Sequence, residues 1–346
     1  MLRPYTRPMA KGLFSAILVM AGLLLCACGP HGDVVIIYTS VDQVYSEPIL
    51  ARFEEETGIE VRAVYDVEAA KTTGLVNRLI AERANPQADV FWNGEFAQTV
   101  QLAEQGVLAP YRSPNAEAIP PAYKDSDGAW TGFGGRVRVL LANTDLVAGE
   151  TMPDSIHDLA DPARSGDRLG IAYPLFGTTA TQAAALYAYW GPQRGHAYFK
   201  SLAERGVRVV DGNSVVRDMV VDGRLDFGLT DTDDACTAVE KGAPVRIIVP
   251  DQGPGEMGTM VIPNTVALIA GGPSPDAGKR LIDYLLSEAV AAEMVAAGWS
   301  HVALGSEETL PNCLAGGAIR GMDVPLADVV AHMEEARTDM TEIFVR

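Results

Sequence analysis

The fold is decided by residues 34–66, which read VVIIYTSVDQVYSEPILARFEEETGIEVRAVYD. A β-branched run, a helical stretch that stops at Gly58 and a second β-branched run follow one another. The alternation continues through GLVNRLIAERAN (74–85), ADVFW (88–92) and FAQTVQLAEQG (96–106). This βαβαβα order predicts an α/β fold with a parallel sheet.

A second series of strands and helices follows a proline-rich interruption at 111–123. Two flanking strands, RVRVLLANT (136–144) and GTMVIPNTVALI (258–269), predict two crossings between lobes, which would make a hinge. We therefore expect two lobes with hinge-connecting strands: lobe one at 34–138 plus 262–346, and lobe two at 139–261. Within lobe two we expect strands at 168–174, 207–212 and 224–231, and helices at 178–191, 196–206 and 214–223.

Residues 1–27 predict a lipoprotein signal peptide. Basic residues precede the apolar run LFSAILVMAGLLLCAC (13–28), which is short for a membrane span. Resemblance to a lipobox names Cys28 as the lipidated residue, because Ala27 precedes it, and makes 28–33 a tether. We expect an extracytoplasmic protein, lipid-anchored to the membrane in the periplasm or at the cell surface. The alternative is a retained N-terminal anchor helix.

Composition bounds the class of protein. The 346 residues are 48% hydrophobic and carry a formal charge of -18. Such acidity argues against nucleic-acid binding, which needs a basic face. The length predicts two domains, and we expect a monomer.

Polar residues follow several predicted strands, where helix starts leave N–H groups that attract anions. Arg136 and Arg138 lie two apart on the crossing strand, and one of them would reach an anion, unless both face solvent. At the helix starts the alternative is ordinary capping. The candidate ligand-binding residues are Tyr38, Thr39, Ser40, Asn93, Arg136, Thr178, Thr179, Ala180, Asn213 and Ser214.

TDTDD (230–234) places three carboxylates at the end of a strand that should be buried. Asp231, Asp233 and Asp234 predict a site for a hard cation or a ligand ammonium, which Asp42 and Glu95 would complete. The alternative is a solvated cluster at a helix start.

Two cysteines follow the predicted lipidation site at Cys28. Cys236 and Cys313 either pair or remain thiols, and the sequence leaves both open.

The pattern of histidines argues against an enzyme. None of the five histidines stands in a metal-ligand motif and there is no GxSxG elbow, so a metal-assisted hydrolase is the weaker alternative.

The order of VVIIYTS, ADVFWNGE, GGRVRVLLANT, GTTAT and NSVVRDMVVDGRLDFGLTD resembles the solute-binding proteins of ABC importers. The pattern is most similar to the iron(III)-type class II periplasmic binding proteins. That resemblance implies permease and ATPase partners, and iron(III) or another hard cation with a synergistic anion as the transported ligand, not as a cofactor. It also implies that Asp233 and Asp234 stand where ferric-binding relatives carry two tyrosines. Alternative ligands are a phosphonate, a sugar phosphate or another small organic solute, and the alternative role is that of a sensory receptor.

Overall fold

A computed structural model describes residues 1, 33–66, 73–175, 177–302, 304, 312–314 and 319–345. The expected signal peptide and the lipidation of Cys28 lie outside these residues. Within them, every helix is too short or too polar to cross a bilayer.

Strands and helices alternate along most of the chain. The strands are β1 (Val34–Thr39), β2 (Glu60–Tyr65), β3 (Val90–Asn93), β4 (Leu108–Ala109), β5 (Thr131–Asn143), β6 (Leu169–Ala172), β7 (Arg208–Val210), β8 (Phe227–Asp231), β9 (Val245–Ile248) and β10 (Val261–Ile269). The helices are α1 (Gln43–Thr57), α2 (Thr73–Ala81), α3 (Ala97–Glu104), α4 (Gly177–Trp190), α5 (Pro192–Glu204), α6 (Asn213–Val221), α7 (Thr232–Glu240), α8 (Pro275–Leu285), α9 (Glu288–Ala296) and α10 (Leu326–Phe344).

The strands form two half-sheets that share β5, in the order β2-β1-β3-β10-β5-β8-β6-β7. In the first half-sheet β1 pairs in parallel with β2 and β3, and β10 runs antiparallel to β3, β4 and β5. In the second, β6 pairs in parallel with β7 and β8, while β8 and β9 run antiparallel to β5. The expected parallel pairing therefore holds for β1 to β3, and the fold is a two-lobed α/β fold. The side chains of β1 and β3 are largely buried, whereas those of β2 are partly exposed.

Strand β5 changes partners between two consecutive residues. Val137 pairs with Val261 of β10 in the first half-sheet, and Arg138 pairs with Asp231 of β8 in the second. The Arg138 amide also donates to the Met260 carbonyl, 3.0 Å away, just before β10 begins. Strand β5 and the segment before β10 therefore pass between the half-sheets at the same point, which we call the junction.

Two glycines shape β5 beside the junction. Gly134 has φ 53° and Gly135 has φ 154°, next to a register shift at Pro263 and Asn264. A Cβ on Gly135 would lie 2.6 Å from the Ile262 carbonyl oxygen. The glycines of GFGG thus let β5 approach β10 closely just before Arg136.

The last helix departs from the expected lobe division, which placed 262–346 in lobe one. Helix α10 packs mainly on α4 and α5 of the second half and also touches α3 of the first. Tyr187 Oη donates to Asp339 Oδ2 at 2.7 Å and ties α10 to α4. The expectation is wrong for this helix because its buried face, which includes Val329 and Met340, is covered by helices of lobe two.

Candidate functional site

A buried guanidinium organises the second-half side of the junction. Arg138 is 0% exposed and its Nη1 donates to Asp231 Oδ1 at 2.7 Å. The same nitrogen donates to Thr178 Oγ1 at 3.1 Å and Asn213 Oδ1 at 3.0 Å, and Nη2 donates to Thr179 Oγ1 at 3.2 Å. One side chain of β5 therefore positions the starts of α4 and α6.

Asp231 is fully engaged in this network. Its second oxygen, Oδ2, accepts from Thr178 Oγ1 at 2.6 Å and from Asn213 Nδ2 at 3.0 Å. Because both carboxylate oxygens have partners and the charge is balanced by Arg138, Asp231 serves as a counter-ion. This corrects its expected role as an open cation ligand. It also excludes the solvent-facing alternative for Arg138.

Arg136 connects the two sides of the junction. Its Nη2 donates to the Gly94 carbonyl oxygen at 3.4 Å, and its Nη1 lies 3.9 Å from Asp233 Oδ2. Its guanidinium lies over the Trp299 ring at 5.8 Å from the centroid. Arg136 therefore extends from β5 towards the first half, whereas Arg138 lies buried in the second half.

The first-half side is built from the ends of β1 and β3. Ser40 Oγ donates to Asn93 Oδ1 at 2.5 Å and accepts from the Gly94 amide at 2.9 Å. Glu95 accepts from the Ala97 amide at 2.8 Å and from Asn93 Nδ2 at 3.3 Å, at the start of α3. Burial raises the pKa of Glu95, against the lowering effect of these donors.

Asp233 is the least compensated acidic group at the junction. Its side chain is 40% exposed, yet its Oδ1 is buried and has no hydrogen-bond partner in the part of the chain that the structure describes. Burial and then the neighbouring Asp231 carboxylate raise the pKa of Asp233, while Arg136 lowers it. The carboxylate lies in the first turn of α7, whose dipole offsets part of the cost.

The charge of the neighbouring Asp234 is better balanced than that of Asp233. Its Oδ1 lies 2.8 Å from Arg217 Nη1. Burial and then Asp233 nevertheless raise the pKa of Asp234 to about 6, with Arg217 opposing them. A cation close to both carboxylates would relieve this repulsion.

Several candidate residues lie apart from these contacts. Tyr38 is buried and donates to Glu82 Oε2 at 3.0 Å, with Arg78 over its ring, so it belongs to the core beside α2. The Thr39 hydroxyl accepts from the Val41 amide and closes a turn. Asp42 precedes α1, Ala180 lies within the first turns of α4, and Ser214 is exposed near the start of α6.

Three residues of the junction were missed. Gln182 Oε1 accepts from Arg138 Nε at 2.8 Å, and its spacing of four from Thr178 on a predicted helix was a usable signal. Trp299 contacts Tyr45, with ring centroids 5.1 Å apart, and donates to Asn264 Oδ1 at 3.0 Å. Burial and Arg136 lower the pKa of His301 to about 4, so its ring is neutral at neutral pH. No sequence pattern around Trp299 or His301 indicated that these residues lie at the junction.

A disulfide joins Cys236 of α7 to Cys313, with Cα atoms 5.4 Å apart. The sequence left paired and free cysteines open, and the structure selects the pair. The bond connects the helix that carries Asp233 and Asp234 to the segment after His301.

Comparisons with known proteins agree with this architecture. Residues 38–292 match the family model described as bacterial extracellular solute-binding protein. The chain is 26% identical to iron uptake protein A1 of Synechocystis sp. over 99% of this chain and 94% of that protein. It is 27% identical to a putative 2-aminoethylphosphonate-binding periplasmic protein of Salmonella typhimurium over 71% and 70%.

A Trichodesmium protein solved in complex with iron and citrate ligands shares the fold. Its TM-score is 0.80 at 19% identity, over 90% of this chain and all of that one. At that identity the likeness concerns the fold alone. The family match covers most of the sequence from the end of β1 to α9, and the chain belongs to the bacterial extracellular solute-binding protein family.

Proposed function

We propose that this protein is the substrate-binding component of an ABC importer, and that it captures iron(III) or another hard cation with a small anion at the junction. The observation that carries the proposal is the buried Oδ1 of Asp233, which no described residue partners, beside Asp234, a second carboxylate whose pKa is raised. The Synechocystis relative is named an iron uptake protein, and the Trichodesmium structure contains iron and citrate. Capture of the ligand and its delivery to permease and ATPase subunits require no catalysis by this protein.

The cation would be held by carboxylate oxygens. Asp233 and Asp234 supply hard oxygen ligands, and Glu95, which follows β3, adds an acidic group from the first half. Asp231 is left out, because Arg138 already balances its charge. Buried carboxylates are expensive unless paired, so a bound cation would remove a cost that the empty site carries.

The anion would lie against the starts of α4 and α6. Helix starts present N–H groups without intrahelical partners and favour negative charge. The Arg138 network fixes Thr178, Thr179 and Asn213 there, and Arg136 adds a positive charge from the first half. A carboxylate or carbonate anion would complete the cation's ligands and contact both half-sheets.

A zwitterionic phosphonate is the second candidate. In 2-aminoethylphosphonate the anionic group suits the helix starts, and the ammonium suits Asp233. The Salmonella relative is named for that ligand. The same junction would therefore bind either ligand. The positive charge beside Asp233 would come from a metal ion in the first case and from the ligand's own ammonium in the second.

Closure of the two lobes would trap the ligand. We propose hinge bending where β5 and the segment before β10 pass between the half-sheets, at Val137–Arg138 and Met260–Val261. Binding would shift the population towards the closed form. We also propose that the protein is a monomer outside the cytoplasm. A lipid on Cys28 would anchor it, as the predicted lipoprotein signal peptide at 1–27 indicates.

Thermal melting distinguishes the two ligands. The protein from Gly29 onward is melted with iron(III) plus citrate or carbonate, with each anion alone, and with 2-aminoethylphosphonate. We expect a higher Tm only with metal and anion together, reversed by a chelator, because binding to the folded state stabilises it by mass action. A shift with the phosphonate alone would select the second candidate.

A further inference from the structure

A cluster of three potential metal ligands lies beside β5 and α7. The sulfur atoms of Cys236 and Cys313 and a ring nitrogen of His301 all lie within 4.8 Å of one another. Cys236 and His301 are each 3% exposed, and Cys313 is partly exposed. Two sulfurs and an imidazole are a different donor set from the carboxylates of Asp233 and Asp234 at the junction.

The imidazole is held in place but lacks a polar partner. The His301 amide donates to the Gly135 carbonyl oxygen at 2.7 Å, which fixes the residue against β5. Its Nδ1 is buried without a hydrogen-bond partner among the described residues. Buried polar atoms normally have one, so the unpartnered Nδ1 of a ring that lies beside two sulfurs calls for an explanation.

We propose that reduction of the Cys236–Cys313 disulfide turns these residues into a Cys2His site for a thiophilic cation such as Zn²⁺. A dithiol reductant supplies two electrons and two protons, giving two thiols and the reductant's own disulfide. Metal binding then displaces both thiol protons, and a water molecule completes four-coordination. The oxidised protein has no thiolate to offer and excludes the metal.

The geometry needs only a local adjustment. Tetrahedral zinc has Zn–S bonds of about 2.3 Å, so the sulfurs must separate to roughly 3.7 Å after the disulfide opens. Cys313 is the more exposed partner and can move, while Cys236 stays in α7. The bound ion would replace the disulfide as a link between α7 and the segment that follows His301.

Cobalt titration of the full chain tests this proposal. Cys26→Ser and Cys28→Ser leave Cys236 and Cys313 as the remaining cysteines. The protein is reduced, freed of reductant without oxygen, and titrated with Co²⁺, followed by displacement with Zn²⁺. We expect one Co²⁺ per chain with thiolate-to-cobalt absorption bands in the reduced protein, and none in the oxidised protein.

Variants separate the ligands from general effects on folding. Adding Cys236→Ser and Cys313→Ser should abolish the absorption bands, and His301→Gln should weaken Co²⁺ binding at least tenfold. The matched control is His332→Gln, a partly exposed histidine on α10, which should leave Co²⁺ binding unchanged. Circular dichroism checks that each variant is folded. Absence of the bands in the reduced protein, or full affinity in folded His301→Gln, would overturn the assignment.

Discussion

Arg138 Nη1 lies 2.7 Å from Asp231 Oδ1, and the two side chains are 0% and 5% exposed. The pair stands where β5 leaves the first half-sheet for the second. Thr178 and Asn213 contact both members of the pair. The starts of α4 and α6 are therefore held by the strand that connects the lobes.

Replacing Arg138 by methionine should destabilise the protein strongly. Asp231 would remain buried without its counter-ion, and such a change costs about 3–5 kcal/mol. The free energy of unfolding from urea titrations measures it. The control is Arg224→Met, which breaks an exposed pair with Asp222 and should cost less than about 1 kcal/mol. Equal costs for the two variants would contradict a structural role for the buried pair.

Asp233→Asn should remove cation binding without harming the fold. The amide keeps the shape but lacks the charge, and burial already disfavours the ionised carboxylate. We expect the Tm of the ligand-free variant at pH 7 to equal or exceed that of the wild type, and the metal-induced rise in Tm to vanish. Asp222→Asn, which changes an exposed carboxylate, is the matched control. A collapse in ligand-free stability would instead make Asp233 structural.

We expect both the stability of the protein and its affinity for a cation to depend on pH because of Asp234. Its folded-state pKa of about 6 lies above its ordinary value of 3.8, so the folded state holds the proton more tightly. The stability this contributes is full below about pH 3.8 and is lost as the pH rises through 6. Cation binding needs the ionised form and should strengthen over the same rise. Urea titrations and metal titrations between pH 5 and 7 measure both trends.

Asp234→Asn is the variant that tests this assignment. It should flatten the part of the pH profile centred near 6, while Asp222→Asn leaves the profile unchanged. An unaltered profile in Asp234→Asn would assign the titration to another group.

Tyr187→Phe should loosen the last helix. It removes the hydrogen bond to Asp339 and should cost about 1 kcal/mol, with faster hydrogen exchange across α10. The control is Tyr189→Phe, two residues along the same helix but exposed. If hydrogen exchange in α10 is the same in both variants, this contact does not anchor the helix.

The sequence predicted those parts of the fold that follow from local pattern. β-branched runs separated by a helical stretch mark β1, α1 and β2, because β1 is largely buried in the sheet and α1 buries one face. TDTDD marks the point where the buried strand β8 ends and α7 begins, because acidic residues favour a helix start.

Other features depend on packing between distant segments. A strand period of two places Arg136 and Arg138 on the same face, yet only Arg138 is fully buried, because β5 changes sheet between them. The position of α10 on α4 and α5 depends on contacts with residues more than a hundred positions earlier. Trp299 reaches the junction in the same long-range way.

Calorimetric titration of ferric citrate into the wild-type protein and into Asp233→Asn/Asp234→Asn tests the proposed cation site. We expect one binding event per wild-type chain, reversed by a chelator, and at least hundredfold weaker binding by the double variant with an unchanged circular dichroism spectrum. Equal affinity in the two proteins, or no binding by the wild type, would contradict a cation site at these carboxylates.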